Sequence, residues 1–367
     1  MTVDNTGVPA ALREEVVRRL QRRQVVSERL AICSSHTHTA PCLSGNLPTL
    51  FGEPIPPEHQ AHIDRYTREL VDALEKVALQ ALDARQPARL SRGQDRAGFA
   101  ANRRTKGGPV DHDVPVMLVH STNGSLQAVF ANYACHCTTL GGETNQICGD
   151  WAGYAQEYLE RDHPGATALI AIGCGADSNP QPRTSLRLAQ QHGEELATAV
   201  NRVIGRQTKP IQGSLECRTR TVRLPFDTIP SRETWETKAK QTDYEGYYAK
   251  VNLAKLERGE TLPTTLEYLI QAWNFGDDLA VVFLPGEVVV DYALRLKREL
   301  DAGRLWVNAY ANDVPCYIPS ERILKEGGYE GAGAMVFYDK PTRLAPGVEN
   351  LIVETVHGLL PKEFRAR

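Results

Sequence analysis

Apolar residues recur along this chain at two distinct periods. Over Ala10 to Arg23, Leu12, Val16, Val17 and Leu20 fall at helical spacing with charged residues between them, and the spacing predicts an amphipathic helix. The same reasoning predicts a long helix over His62 to Arg85, with Leu70, Leu74, Val77 and Ala81 on one face, after the breaker cluster at Pro54 to Pro57. Further helices are predicted over Trp151 to Arg161, Ser185 to Val203, Arg295 to Leu300 and Gly347 to Leu360. Short apolar runs mark the strands. Leu30 to Cys33 reads as a buried strand, and Val114 to Val119 and Leu126 to Tyr133 flank Asn123-Gly124, a dipeptide that favours a tight hairpin turn. Ala166 to Ile172 and Leu305 to Ala309 read as strands. Leu266 to Phe275 pairs with Leu279 to Leu284 across Gly276-Asp277-Asp278. The expected fold class is therefore α/β, with mixed sheets flanked by helices and functional groups on strand-end loops. One catalytic domain over residues 1–367 is expected, with Ser231 to Glu260, charged and poorly patterned, as a surface helical insertion.

Composition narrows the choice of partners. Lys plus Arg number 42 against 45 Asp plus Glu, a formal charge of −3, and the chain has no long basic run, which argues against a nucleic-acid binder. No stretch has the roughly 20 apolar residues that span a bilayer. The start, Met1-Thr2-Val3-Asp4-Asn5, lacks the pattern of a signal peptide, so the expectation is a cytoplasmic protein as written. The 8 cysteines show no C-x-x-C knuckle or regular spacing and are expected to be mostly buried reduced thiols.

Candidate chemistry collects in four places, each just after an apolar run. Ser34-Ser35-His36-Thr37-His38-Thr39-Ala40-Pro41 offers two imidazoles at i, i+2. In an extended loop these point to opposite sides, so one could ligate a metal while the other faces substrate. Asn132 to Thr139 adds His136, with Cys135 or Cys137 as alternative, softer ligands. Ile172-Gly173-Cys174-Gly175-Ala176-Asp177-Ser178-Asn179-Pro180 has small residues whose backbone N–H groups could hold an oxyanion. Phe283-Leu284-Pro285-Gly286-Glu287 brings a carboxylate to a strand-to-helix transition. Two histidines plus one carboxylate make a reasonable hydrolytic zinc set, which leaves a position for water. Ser34, Ser35 or Ser178 is available as a nucleophile, yet the chain has no G-x-S-x-G elbow, no H-E-x-x-H, no P-loop and no G-x-G-x-x-G after a strand.

In their order, these motifs resemble those of the neutral/alkaline non-lysosomal ceramidase family. Ser34-Ser35-His36-Thr37-His38 is similar to its S-S-H-T-H-S-G-P run, with Thr39-Ala40 replacing Ser-Gly. Arg96 to Asn102 is similar to its R-S-P segment ending in Asn, and Asn145 to Ala155 to its N-x-x-I-S-G-D-x-x-G-Y-A run. Pro285-Gly286-Glu287, Asn312 to Tyr317 and Gly328-Tyr329-Glu330-Gly331 follow the later motifs. The resemblance implies a zinc-dependent hydrolase that cleaves the amide bond of an N-acylated small molecule or lipid, with Zn2+ held by His36, His136, Glu287 and Tyr317. It implies that His38, with Tyr317, serves the reacting amide, and that Arg96, Asn102, Asp150, Asp177 and Asn179 form the substrate site. The alternatives are a metal-dependent esterase or deacetylase, or a catalytically silent binding protein of the same fold. Asn179 stands where the family has a serine, with Ser178 one residue earlier, and the family's C-terminal immunoglobulin-like domain has no counterpart here. The N-terminus resembles the middle of the family's domain, which implies an N-terminally shortened form and leaves a secreted or periplasmic origin open.

Overall fold

The computed structural model describes residues 1–365. Two mixed sheets form the centre of the molecule. One has five strands in the order Thr167–Ile172, Leu126–Tyr133, Asp113–Ser121, Ala88–Arg96, Lys209–Ile211, with only the first pair parallel. The other has four, in the order Leu215–Pro225, Thr265–Phe275, Leu279–Phe283, Leu305–Asn308, with only the last pair parallel.

Alternation along the strands explains how the sheets stack. Met117 and Ala171 of the first sheet pack with Phe275, Val281, Phe283 and Trp306 of the second, and the Phe130 and Trp306 rings lie 6.0 Å apart. Their neighbours Val116, Leu118 and Ile170 point the other way, into a core shared with Trp151, Leu196 and Val200 of the helices Asp150–Asp162 and Leu186–Ile204. On the far side Ile270, Ala272, Ala280 and Val282 pack with Tyr292 and Leu296 of Val290–Glu299 and with Ile352, Val353 and Val356 of Val348–Leu359. The result is a helix–sheet–sheet–helix sandwich, the mixed α/β class that the two periods predict. A strand buried on both faces reads as a continuous apolar run, as Leu279 to Leu284 does.

Three elements differ from expectation. Leu30 to Cys33 contributes only the two-residue strand Cys33–Ser34, paired in parallel with Thr2–Val3. Asn312 takes over the preceding backbone, its side chain accepting from Ile32 N at 3.0 Å and its own N–H donating to Ile32 O at 2.7 Å. Ala88–Arg96 and Leu215–Pro225 are strands that periodicity did not reveal, because each carries three Arg among other polar residues and is largely solvent-facing. Between Ser231 and Glu260 lie two helices, Arg232–Lys238 and Tyr244–Glu257, packed against each other and capped by the Ser231 and Asp243 side chains.

At one end of the sandwich the two sheets are joined. Ala309 N donates to Ile172 O, Gly173 bridges to Asn308, and the buried Asn132 amide donates to Asn308 Oδ1 at 2.6 Å. Ser34 N donates to Tyr310 O, which attaches the N-terminal segment to the same place. This junction is where the carboxyl ends of the strands converge, the position at which open α/β sheets carry their ligands.

Candidate metal and substrate site

Several residues around the site hold a locally unusual backbone. His36 sits at φ 58, in the left-handed region that non-glycine residues rarely occupy, as do Tyr310 at φ 49 and Asn312 at φ 68. Such conformations cost about 1–3 kcal/mol each and persist only where the surroundings over-determine them. Here the Tyr310 ring stacks on His36 with centroids 4.4 Å apart. The reversal at His36 also overturns the expected divergence of the two imidazoles. His38 Nε2 lies 3.1 Å from His36 Nε2, so both rings face one site.

His136 follows the strand Leu126–Tyr133, and its backbone carbonyl accepts from the Trp151 indole at 2.8 Å. Gly175 is needed alongside it, because a Cβ there would lie 2.5 Å from Cys135 N. Cys135 and Cys137, offered as soft ligands, turn the other way into the apolar core, where burial first of all raises both thiols well above their ordinary range. All 8 cysteines are free. Ser34 is buried and its hydroxyl donates to Tyr310 O, which removes it as a nucleophile candidate. Glu287 begins a two-residue strand paired in parallel with Tyr317–Ile318, and the register sets Glu287 directly against Tyr317.

The hydrogen bonding defines which nitrogens are free. His36 Nδ1 is 2.5 Å from Thr6 O and His136 Nδ1 is 2.9 Å from Gly175 O; a carbonyl only accepts, so both Nδ1 atoms carry the proton. Both Nε2 atoms therefore present lone pairs, and they converge on Glu287 Oε2 at 3.2 and 3.0 Å. The three residues are at most 2% exposed. Burial opposes charge on Glu287, whereas positive charge or an Nε2–H on His36 and His136 would hold the carboxyl well below its ordinary value. Tyr338, missed by sequence reasoning, donates its hydroxyl to Glu287 Oε1. Burial, followed by Arg103 beside it, pushes His136 down to about 4, so the ring is neutral. Two Nε2 atoms and a carboxylate oxygen thus face one another, an arrangement that needs either a shared proton or a cation. Tetrahedral coordination at about 2.0–2.1 Å places neighbouring ligand atoms roughly 3.3 Å apart, close to what is observed. His36, His38 and His136 together offer nitrogens within 4.8 Å of one another and could hold a metal ion. The donor set fits a divalent cation.

Around this cluster, Tyr317 is buried with its hydroxyl 3.4 Å from His136 Nε2, and burial keeps it protonated. Arg103 is a second residue that sequence reasoning missed: its guanidinium donates to the Tyr317 hydroxyl at 2.9 Å, reaches 3.5 Å from His136 Nε2 and pairs with Glu330 at 2.7 Å. Arg96, chosen instead, is exposed at the end of Ala88–Arg96, its carbonyl taken by Arg202, and it lines neither recess beside His38. Asn102 and Asp177 brace the loop that carries Arg103: the Asn102 amide donates to Asp177 Oδ2 at 3.1 Å, and Arg103 N donates to Asp177 O at 2.8 Å. Burial raises Asp177 to about 6. Asp150, at φ 53, accepts from Leu140 N and Trp151 N and so fixes the segment after His136. Asn179 accepts from Thr138 and lines the larger recess.

His38 is the accessible member of the cluster. Despite its exposure it is surrounded by protein, and this desolvation, with His36 and His136 adding to it, pushes its imidazole down to about 3. Two cavities meet at it, one of about 910 Å3 and one of about 420 Å3.

The buried His/His/Glu cluster at the strand ends of this mixed α/β sandwich is a candidate metal site. Two solved structures of similar fold are ceramidases. A ceramidase complexed with C2 matches with a TM-score of 0.74 at 18% identity, covering 100% of this chain and 68% of that one. Neutral ceramidase from Pseudomonas aeruginosa matches with a TM-score of 0.72 at 19% identity, covering 100% and 67%. The chain has the neutral ceramidase fold. No family model and no curated protein matches it.

Proposed function

We propose that the protein is a zinc-dependent hydrolase that cleaves the amide bond of an N-acylated small molecule or lipid, as the ceramidase-like fold suggests. The observation that carries this reading is the convergence of two imidazole Nε2 atoms on the buried Glu287 carboxyl, with a fourth donor atom, the Tyr317 hydroxyl oxygen, beside them. His36, His136, Glu287 and Tyr317 would hold the ion. When bound, zinc supplies a polarised carbonyl and a water acidic enough to react near neutral pH.

The remaining work falls to this chain's own side chains. His38 is neutral and opens onto both cavities, so it acts as base first and acid second, taking a proton from the attacking water and delivering it to the leaving nitrogen. Arg103 fixes a positive charge beside Tyr317, where negative charge develops on the former carbonyl oxygen. Asn102 and Asp177 hold the loop that aims it.

The test is metal content combined with turnover. Purified protein should hold about one zinc per chain and hydrolyse N-acyl chromogenic amides, while His36→Ala and His136→Ala should lose both. His38→Ala should keep the metal and lose about 10²–10⁴-fold in kcat. Full amidase activity in metal-free protein would overturn the reading, and cleavage of esters alone would move it to the esterase class.

A further inference from the structure

The two cavities that meet at His38 have opposite chemistry. The 420 Å3 recess is lined by Leu43, Leu47, Leu50, Phe51, Ile55 and Ile63 among others, with no Asp, Glu, Lys or Arg. The 910 Å3 recess is lined by Arg103, Arg104 and Arg183 against one carboxylate, Glu330. Arg103 and Arg104 both pair with Glu330, and Arg104 also reaches Glu326 at 3.1 Å. Arg183 has no carboxylate partner among the described residues and is exposed on the recess wall, near Asn179, Thr138 and Thr144.

A substrate whose scissile bond lies at His38 must send one half into each recess. An acyl chain gains by leaving water for the uncharged one. The other half meets a wall with an uncompensated guanidinium, whose planar fork matches a carboxylate in a bidentate pair. We propose that the substrate is an N-acyl amino acid, its acyl chain in the Leu47–Ile63 recess and its carboxylate on Arg183, which acts as a specificity residue. This rests on the amidase reading above. In the reaction the C–N bond breaks, the oxygen of water stays on the acyl carbon, and the nitrogen leaves with a proton, giving a carboxylic acid and a free amino acid.

A matched pair of substrates tests this on the zinc-loaded full chain: N-octanoylglycine and N-octanoylethanolamine differ mainly in the carboxylate. The expected ratio of kcat/KM is at least tenfold in favour of the glycine conjugate, and it should shrink as salt is raised. Arg183→Glu should reduce that ratio tenfold or more, and Arg183→Lys, which keeps the charge without the fork, should fall between Arg183→Glu and wild type; the exposed position leaves the fold intact in both variants. Phe51→Asp should slow the octanoyl substrates more than their acetyl homologues, which checks the orientation. Equal turnover of the two octanoyl substrates, or a ratio unmoved by Arg183→Glu, overturns the proposal while leaving the amidase reading in place. Failure to cleave either one with zinc bound overturns both.

Discussion

At the scale of single residues, what matters in the cluster is where protons are absent. Backbone carbonyls of Thr6 and Gly175 fix the tautomers of His36 and His136, and ligand orientation of this kind is worth about 10–100-fold in metal affinity. Tyr338 performs the same service for Glu287, donating to the oxygen that does not face the histidines. Tyr338→Phe should therefore weaken zinc binding by about 10–100-fold while leaving the fold intact, since only a hydroxyl is removed. Competition against a chromogenic chelator measures it, and an affinity equal to wild type would show that the hydroxyl is idle. His36, His136 and Glu287 were legible in the sequence because each follows an apolar run and so announces a strand end. Tyr338 and Arg103 were not, because one lies in a short 3-10 turn and the other just after the three-residue strand Ala100–Asn102, where no period marks the residue that turns inward.

Among elements, the smallest do the most for the site. Glu287–Val288 and Tyr317–Ile318 form a ladder of two residues each, too short for any pattern to reveal, yet its register sets the carboxylate against the hydroxyl. Gly286 makes the turn into it at φ 81, and a Cβ there would lie 2.6 Å from Cys316 O. Gly286→Ala should cost about 1–3 kcal/mol of stability from the backbone alone and displace Glu287. Denaturant midpoints and zinc stoichiometry should fall together, and a variant of wild-type stability with full zinc would remove the argument. The larger elements were readable in proportion to their burial. Asp113–Ser121, Leu126–Tyr133 and Leu186–Ile204 lie close to their expected bounds because packing demands apolar residues at fixed intervals. Ala88–Arg96 is held by backbone pairing to Asp113–Ser121 and needs few apolar side chains, so nothing in its composition distinguished it from a loop.

Over the whole molecule, the candidate ligands come from three parts of the chain and meet at the sandwich's end. His36 belongs to the N-terminal segment, His136 follows the five-stranded sheet, and Glu287 follows the four-stranded one. Without a cation, the buried carboxylate and two lone pairs are a local cost borne by that junction; with one, the same groups tie three parts of the chain together. An ion that binds only the folded state stabilises it by about 2.7 kcal/mol at a free concentration of 100 times Kd. With a shift on the order of 2–4 °C per kcal/mol, or somewhat less for a longer chain, zinc should raise Tm by several degrees over chelator-treated protein. His36→Ala removes a donor on the N-terminal side and should abolish most of that rise. The decisive comparison is the zinc-dependent shift in the two proteins, followed by calorimetry. A rise of equal size in His36→Ala would place the ion elsewhere, and no rise in wild type would mean that the junction is complete without one.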